Sequence, residues 1–150
     1  MRAIIQRVEK AIVEIENCQH AAIGMGMLIL IGIEDADNQD DMEWLAGKIS
    51  RLRIFDDENG VMNLPLTEVG GEMLVVSQFT LHASTKKGNR PSYYRASGPE
   101  HAIPLYEAFL KQLEKETGTT VKSGIFGAMM KVSLVNDGPV TIFIDTKAKE

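Results

Sequence analysis

The sequence predicts an α+β fold with antiparallel sheet and two helices. Three features carry that expectation: Ile- and Val-rich runs with partial alternation over residues 2 to 33, two separate stretches of helical periodicity, and a closing pair of strand patterns around a Gly-Pro. Residues 2 to 15 and 19 to 33, the latter around Gly24-Met25-Gly26, read as strands of an antiparallel meander. From Asn38 the period changes. Met42, Leu45, Ala46, Ile49 and Leu52 fall at helical spacing, behind an acid-rich start (Asp37, Asp40, Asp41, Glu43) and ahead of a basic end (Lys48, Arg51, Arg53), as the helix dipole favours. Asn59-Gly60 and Gly70-Gly71 mark turns, and Met73-Leu74-Val75-Val76 reads as a short, fully buried strand. A second helix is expected from about Glu100 to Thr117, with Tyr106, Phe109, Leu110 and Leu113 on one face, Pro104 in its first turns and Gly118 as its stop. Lys131 to Val135 and Val140 to Ile144 are the last two strands, with Asn136-Asp137-Gly138-Pro139 as the turn between them.

With 150 residues, 44% of them hydrophobic, and no repeat or linker-like stretch, the sequence predicts one domain over 1–150 with its last few residues a tail. The single cysteine, Cys18, has no partner for a disulfide and lacks the neighbours of a zinc site. Charge breaks the first ten residues before any signal-like apolar run develops, and the uncharged stretch from Ala21 to Ile33 falls short of the roughly 20 residues that a spanning helix needs. These features predict a cytoplasmic chain with no membrane partner. The acid run from Glu34 to Glu43 lacks a glycine-punctuated ligand loop, and neither a metal nor a cofactor is expected.

A net charge of −5 argues against a protein that blankets phosphates with cations. The charge is uneven, however. Ser84 to Arg95 holds Lys86, Lys87, Arg90 and Arg95 with no acid, which leaves −9 on the other 138 residues. Tyr93 and Tyr94 lie in the same segment. It reads either as a solvated lysine-rich loop or as a contact for a short single-stranded nucleic-acid end.

No triad is visible: His20, His82 and His101 are scattered, with His82 read as a half-exposed strand-end residue, and no Gly-x-Ser-x-Gly elbow, phosphate loop or dinucleotide fingerprint occurs. Two motifs remain. Ser77-Gln78-Phe79-Thr80 stands where the buried strand emerges from the core, and such a turn can offer backbone N–H groups and polar side chains to an oxyanion. Taken alone, it is more commonly a strand end that satisfies its own backbone. Gly138-Pro139 is an X-Pro bond in a tight turn, where a cis peptide is tolerated and would turn two carbonyls to one side. Alone, it reads more simply as a turn closing a hairpin.

Together, in this order and distance, the two motifs resemble the D-aminoacyl-tRNA deacylase family. The resemblance runs from Met1 to about Asp145 and includes Met1-Arg2-Ala3, Gln6-Arg7-Val8, Leu52-Arg53-Ile54-Phe55, Gly70-Gly71-Glu72, Ser77 to Leu81, Lys87-Gly88-Asn89-Arg90-Pro91-Ser92, Phe126-Gly127-Ala128 and Asn136 to Thr141. It implies a partly barrel-like α+β domain that forms a homodimer, and a hydrolase of the ester bond of D-aminoacyl-tRNA that holds the acceptor end and rejects L-aminoacyl esters. Glycyl-tRNA mischarged on tRNA-Ala would be cleaved too, since glycine has no side chain to reject. By the same resemblance Ser77, Gln78, Phe79 and Thr80 form one wall. Gly138 and Pro139 of the partner form the other, held in place by Arg7, and Phe126, Gly127 and Met130 receive the terminal adenosine. Met129 departs from the family, whose members often carry an acid there. Thr80 is open to two roles, nucleophile or positioning group; no adjacent base activates it, which favours attack by water assisted by the ribose 2′-hydroxyl. Two alternatives stand beside this: a non-catalytic module gripping an acceptor end through residues 84 to 95, and a relative with altered chirality preference.

Overall fold

In the computed structural model, which describes residues 1–149, the spine is β1 (Arg2–Ile15). Its first half pairs antiparallel with β3 (Gly26–Gly32), from Arg2↔Gly32 to Val8↔Gly26, and its second half with β2 (Cys18–Ile23). Glu16 and Asn17, with φ of 52° and 61°, make the tight reversal between β1 and β2. The chain then forms α1 (Gln39–Ser50), the hairpin of β4 (Arg53–Asp56) and β5 (Met62–Pro65), β6 (Glu72–Ser77), a 3₁₀ turn (Phe79–His82), α2 (Pro99–Thr117), β7 (Val121–Ser123) and β8 (Lys131–Asp145). The main sheet runs β2-β1-β3-β6-β7, with β8 along the other side of β1, and it curls until it is nearly barrel-shaped. The expected α+β domain with two helices is therefore what the chain forms.

Both expected helices form, α2 with the predicted stop at Gly118 and with Pro104 inside the helix, as its sixth residue. Asn38 caps α1, accepting from the Asp41 N–H while the Asp41 carboxylate accepts from the Asn38 N–H, a reciprocal capping box. Pro99 opens α2 at a position that needs no hydrogen bond, and Gly118, with φ of 68°, ends it.

Two strand expectations need correction. The sheet is mixed, because β6 pairs parallel with both β3 and β7. The physical reason is the crossover: α1 and the β4–β5 hairpin lie between β3 and β6, enough chain to return in the same direction. The unbroken apolar run Met73–Val76, buried on both faces, is the pattern of a parallel strand. The second correction concerns the closing pair, which is one strand rather than a hairpin. In β8, Lys131 to Asn136 pairs with Glu14 to Val8 and Thr141 to Asp145 continues along Gln6 to Arg2 in the same sense. Residues 137–139 bulge outward between the two halves. Asn136 closes that bulge: its side-chain oxygen accepts from the Val140 N–H at 2.9 Å, and its amide donates to Thr141 Oγ1 at 3.1 Å.

The core lies between one face of the sheet and the two helices, where Ile5, Ile29, Ile31, Met73 and Val75 meet Leu45, Ile49, Phe109 and Leu113. Each such side chain contributes about 1.5–3 kcal/mol by leaving water. Val8, Ala11, Val13, Ile23, Leu28, Leu74 and Val76 form a second cluster on the opposite face. Residues past Asp145 are tied to the body: the Thr146 N–H donates to the Met1 carbonyl at 2.9 Å, and the Lys147 ammonium meets Asp41 at 2.6 Å. The expected tail extends in part to Glu150, which lies outside the described residues. None of the described helices is long and apolar enough to cross a membrane.

His82 is not half-exposed but buried, at 1% exposure, with neither ring nitrogen hydrogen-bonded and Nδ1 3.9 Å from the Glu34 carboxylate. Burial drives its pKa below the usual value, against the weaker pulls of the Gly32 backbone and the nearby Glu34 charge. A histidine kept neutral in the fold but free to protonate when unfolded costs nothing above its unfolded pKa of about 6.5. As pH falls from there toward the folded pKa, stability is lost, by at most about 1.4 kcal/mol per pH unit. Urea midpoints measured at pH 7.5 and 5.5 should therefore fall for the native chain and fall less for His82→Leu; equal falls would refute a neutral His82.

Candidate active site

The parallel register sets Ser77, the last residue of β6, opposite Ile31 of β3. The next N–H, that of Gln78, donates back to the Ile31 carbonyl at 2.6 Å, and the chain then turns through Phe79–His82. This turn lies directly on Gly32: a Cβ there would stand 2.9 Å from Leu81 Cβ and 3.0 Å from the Gln78 carbonyl oxygen. Arg2 pins the other side, its Nη1 donating to the Leu81 carbonyl at 2.9 Å while Nε meets Asp145 at 2.8 Å. Burial alone would raise the Asp145 pKa, but the Lys147 N–H and Arg2 hold it below the usual carboxylate value. At neutral pH the anchor on Arg2 is therefore charged.

A cavity of about 640 Å³ opens beside this turn. Ile31 and Ile33 at the end of β3, Ala102 and Ile103 in the first turns of α2, and Phe126 to Met130 give it apolar walls; Ser77, Gln78 and Ser97 are its polar side chains. Phe126 leans on Tyr106 with ring centroids 5.9 Å apart. The buried Tyr106 hydroxyl donates to the Val75 carbonyl at 3.0 Å, and burial pushes its pKa up, so it stays a neutral prop. Gly124 leaves the space that Met130 fills, since a Cβ there would meet the Met130 sulfur at 2.5 Å. Met129 is 92% exposed at the rim.

Of the residues singled out in the sequence, Ser77, Gln78, Phe79, Phe126, Gly127 and Met130 all line this one cavity. Thr80 sits one step further into the turn, where its hydroxyl accepts a hydrogen bond from the Gln78 amide. An amide N–H takes no proton, and His82, the nearest imidazole in sequence, is turned into the interior without a hydrogen bond.

Gly138 and Pro139 lie elsewhere. Their peptide bond is cis, both residues are exposed, and neither lines the cavity of its own chain. Beneath them is Arg7, only 6% exposed. Its Nε donates to the Asp137 carbonyl at 3.1 Å and approaches the Asp137 carboxylate at 3.2 Å, while Nη1 donates to the Ile54 carbonyl at 2.8 Å and meets Asp56 at 3.1 Å. One guanidinium thus joins β1, β4 and the bulge of β8. The sequence had not singled out Ile31, Ile33, Ser97, Ala102, Ile103 or Gly32. Only Gly32 carries a signal there, as a glycine ending an apolar strand, where close backbone approach is common.

Comparison with known proteins places this architecture. A solved structure of a probable eukaryotic D-amino acid tRNA deacylase superposes with a TM-score of 0.81 at 18% identity, covering 95% of this chain and 97% of its own, which establishes the fold alone. A solved structure of the c-Myc DNA Unwinding Element Binding Protein superposes with a TM-score of 0.91 at 41% identity, covering 97% and 98%. The class, an α+β hydrolase of the deacylase type, comes from the family and relatives that the sequence matches. Residues 4–145 match the family model described as D-Tyr-tRNA(Tyr) deacylase, and the chain belongs to that family. D-aminoacyl-tRNA deacylases of Flavobacterium johnsoniae and Parabacteroides distasonis are 61% and 60% identical to it over 150 residues, the whole of each chain.

Since the polar turn rests on Gly32 with no slack, Gly32→Ala should push the Gln78 carbonyl and Leu81 away by a few tenths of an ångström. The expected result is about a tenfold loss of kcat in a protein whose circular dichroism spectrum is unchanged; full activity would show that the turn's position is unimportant.

Proposed function

We propose that this protein hydrolyses the ester bond of D-aminoacyl-tRNA in the cytoplasm, releasing the free amino acid and tRNA, that it also cleaves glycyl-tRNA mischarged on tRNA-Ala, and that it rejects L-aminoacyl esters. The observation that carries this reading is the join of an apolar cavity of about 640 Å³ to a polar turn at its end. Full-length identity of about 60% to relatives named for the activity supports it.

The terminal adenosine enters between Phe126, Gly127 and Met130, and the ester carbonyl comes to the Ser77-Gln78-Phe79-Thr80 turn. The N–H groups of Phe79 and Thr80 precede the turn's first internal hydrogen bond, from Leu81 to Gln78, and so remain for the developing oxyanion. Water attacks the carbonyl, the ribose 2′-hydroxyl relays its proton, and the 3′-oxygen leaves with the tRNA. Thr80 is a positioning group, because its hydroxyl is bound to an amide and has no base.

The chirality filter is the Gly138-Pro139 turn of a second copy of this chain. Its two carbonyls accept from the substrate's α-ammonium, and its bulk occupies the space that an L side chain needs. Three observations favour a partner: the turn is exposed, it is absent from its own chain's cavity, and it sits on a strand with a free edge. That strand carries Leu134, Val135 and Phe143, at 36%, 40% and 58% exposure, apolar side chains that a monomer would leave in water.

Deacylation of D-tyrosyl-, glycyl- and L-tyrosyl-tRNA tests the reading directly. Rapid release is expected from the first two and release slower by at least about a hundredfold from the third, and comparable D and L rates would sink the filter. A mixing experiment tests the shared site. Gln78→Ala damages a cavity and Gly138→Val a turn, so each homodimer should be inactive, whereas mixed dimers carry one intact site and restore about a quarter of the native activity. No restoration after confirmed subunit exchange would assign cavity and turn to the same chain.

A further inference from the structure

We propose that the loop from Ser84 to Arg95 is the landing surface for the unpaired RNA strand leading into the cavity, with its phosphates on Lys86, Lys87 and Arg90 and a base against Tyr94. This inference rests on the deacylase reading and adds the route by which the substrate's 3′ end reaches the site.

Its first support is placement. The loop is closed at its neck by paired hydrogen bonds between Ser84 and Ser92, at 2.7 and 2.9 Å, and its far end is tied to the end of β3 by Ser97 N–H donating to the Ile33 carbonyl at 2.9 Å. Ile33 and Ser97 are themselves cavity walls. At the other rim Phe79, which also lines the cavity, meets Tyr93 edge-on with ring centroids 5.2 Å apart. The loop therefore stands at the mouth, and a strand leaving the cavity past Phe79 crosses it.

The second support is charge. Arg95 is already spent on Glu34, 2.9 Å away, which leaves that carboxylate neutralised, and the neighbouring Asp35 accepts from the Ser97 hydroxyl. Lys86, Lys87 and Arg90 are all exposed, and among the described residues none of the three takes part in an ion pair. Two exposed acids lie near them, Glu100 in the first turn of α2 and Asp35, which is in no ion pair among the described residues and whose charge the Ser97 hydroxyl does not neutralise. On a surface that is otherwise net acidic, three cations without an ion pair among the described residues, carried by the loop that borders the cavity mouth, mark a polyanion path.

The third support is the aromatic pair. Tyr94 is 77% exposed and Tyr93 41%, on a loop whose tyrosines contribute nothing to the buried core. An exposed ring beside cations suits unstacked bases, which present a π-face regardless of sequence, and does not suit the closed stack of a duplex.

The test compares two esters of the same amino acid: D-tyrosyl-tRNA and 3′-O-(D-tyrosyl)adenosine, which fills the cavity without reaching the loop. For Lys86→Ala/Lys87→Ala/Arg90→Ala, KM for the tRNA ester should rise about tenfold or more with kcat retained. The slope of log(kcat/KM) against log salt should become shallower by about 2, as expected when three phosphate contacts to a single strand are removed. Tyr94→Ala should raise the same KM while leaving the salt slope alone, and neither variant should change hydrolysis of the nucleoside ester. An unaltered KM and salt slope on the tRNA ester would overturn the loop's role while leaving the deacylase reading intact. If the native protein cleaved neither ester, that reading would fail instead, and the loop would then be judged by anisotropy with uncharged tRNA. Weaker binding by the triple variant would support the surface, whereas equal binding, or equal affinity for tRNA with and without its unpaired 3′ end, would overturn it.

Discussion

The site depends on one close approach, that of β3 to β6 at Gly26. A Cβ at this position would collide with the backbone of Glu72, so the parallel pair can begin where it does only because residue 26 has no side chain. From that start the register runs without a bulge to Ile31↔Ser77. Because side chains alternate along a strand, a slip of one residue would exchange the faces of Ser77 and Val76 and turn the polar strand end inward. The second glycine of the strand, Gly32, then lets the turn fold back over β3. Two glycines six residues apart thus fix where the strand starts and where its polar end lies.

The helices and the cavity follow from the same pair of strands. The segment between β3 and β6 is the crossover that parallel pairing demands, and it supplies α1 and the β4–β5 hairpin. Arg7 ties that hairpin to the bulge of β8 through the carbonyls of Ile54 and Asp137. A buried guanidinium is costly unless its donors are satisfied, and here two carbonyls and two carboxylates surround it. The bulge carrying Gly138-Pro139 is therefore held by a group that would lose two of its four acceptors, the carbonyl and carboxylate of Asp137, if the bulge moved. Rigidity of this kind is what the proposed steric filter would need, since a yielding wall discriminates poorly between mirror-image substituents.

Much of this was legible in the sequence. The helix at 39–50 announced itself by its apolar spacing and by acids at its start with bases at its end, and Gly118 marked the end of the second helix. Legibility failed where the deciding contact was distant in sequence. Whether Met73–Val76 pairs parallel or antiparallel depends on what its neighbours do, although its unbroken apolar run was the available clue. The closing strand was split at Gly138-Pro139 because local turn chemistry argued for a hairpin; continuous pairing with β1 overrode it. His82 looked polar and exposed in sequence, and only the packing of the turn on Gly32 puts it inside.

The site motifs were legible as pieces rather than as a site. Ser77 to Phe79 and Phe126 to Met130 lie some fifty residues apart and meet only because β7 lies alongside β6, bringing the chain that follows it to the end of that strand. The Gly138-Pro139 turn meets neither within its chain. In the proposed function the filter sits on a different protomer from the chemistry, which would make catalysis conditional on assembly: an isolated chain that bound an aminoacyl ester would have no wall against the L side chain. If such a chain hydrolysed esters at all, it would attack the far more abundant L-aminoacyl-tRNA as readily as the D form. Under that proposal the exposed apolar side chains of β8, Leu134, Val135 and Phe143, would favour the assembly that the filter requires.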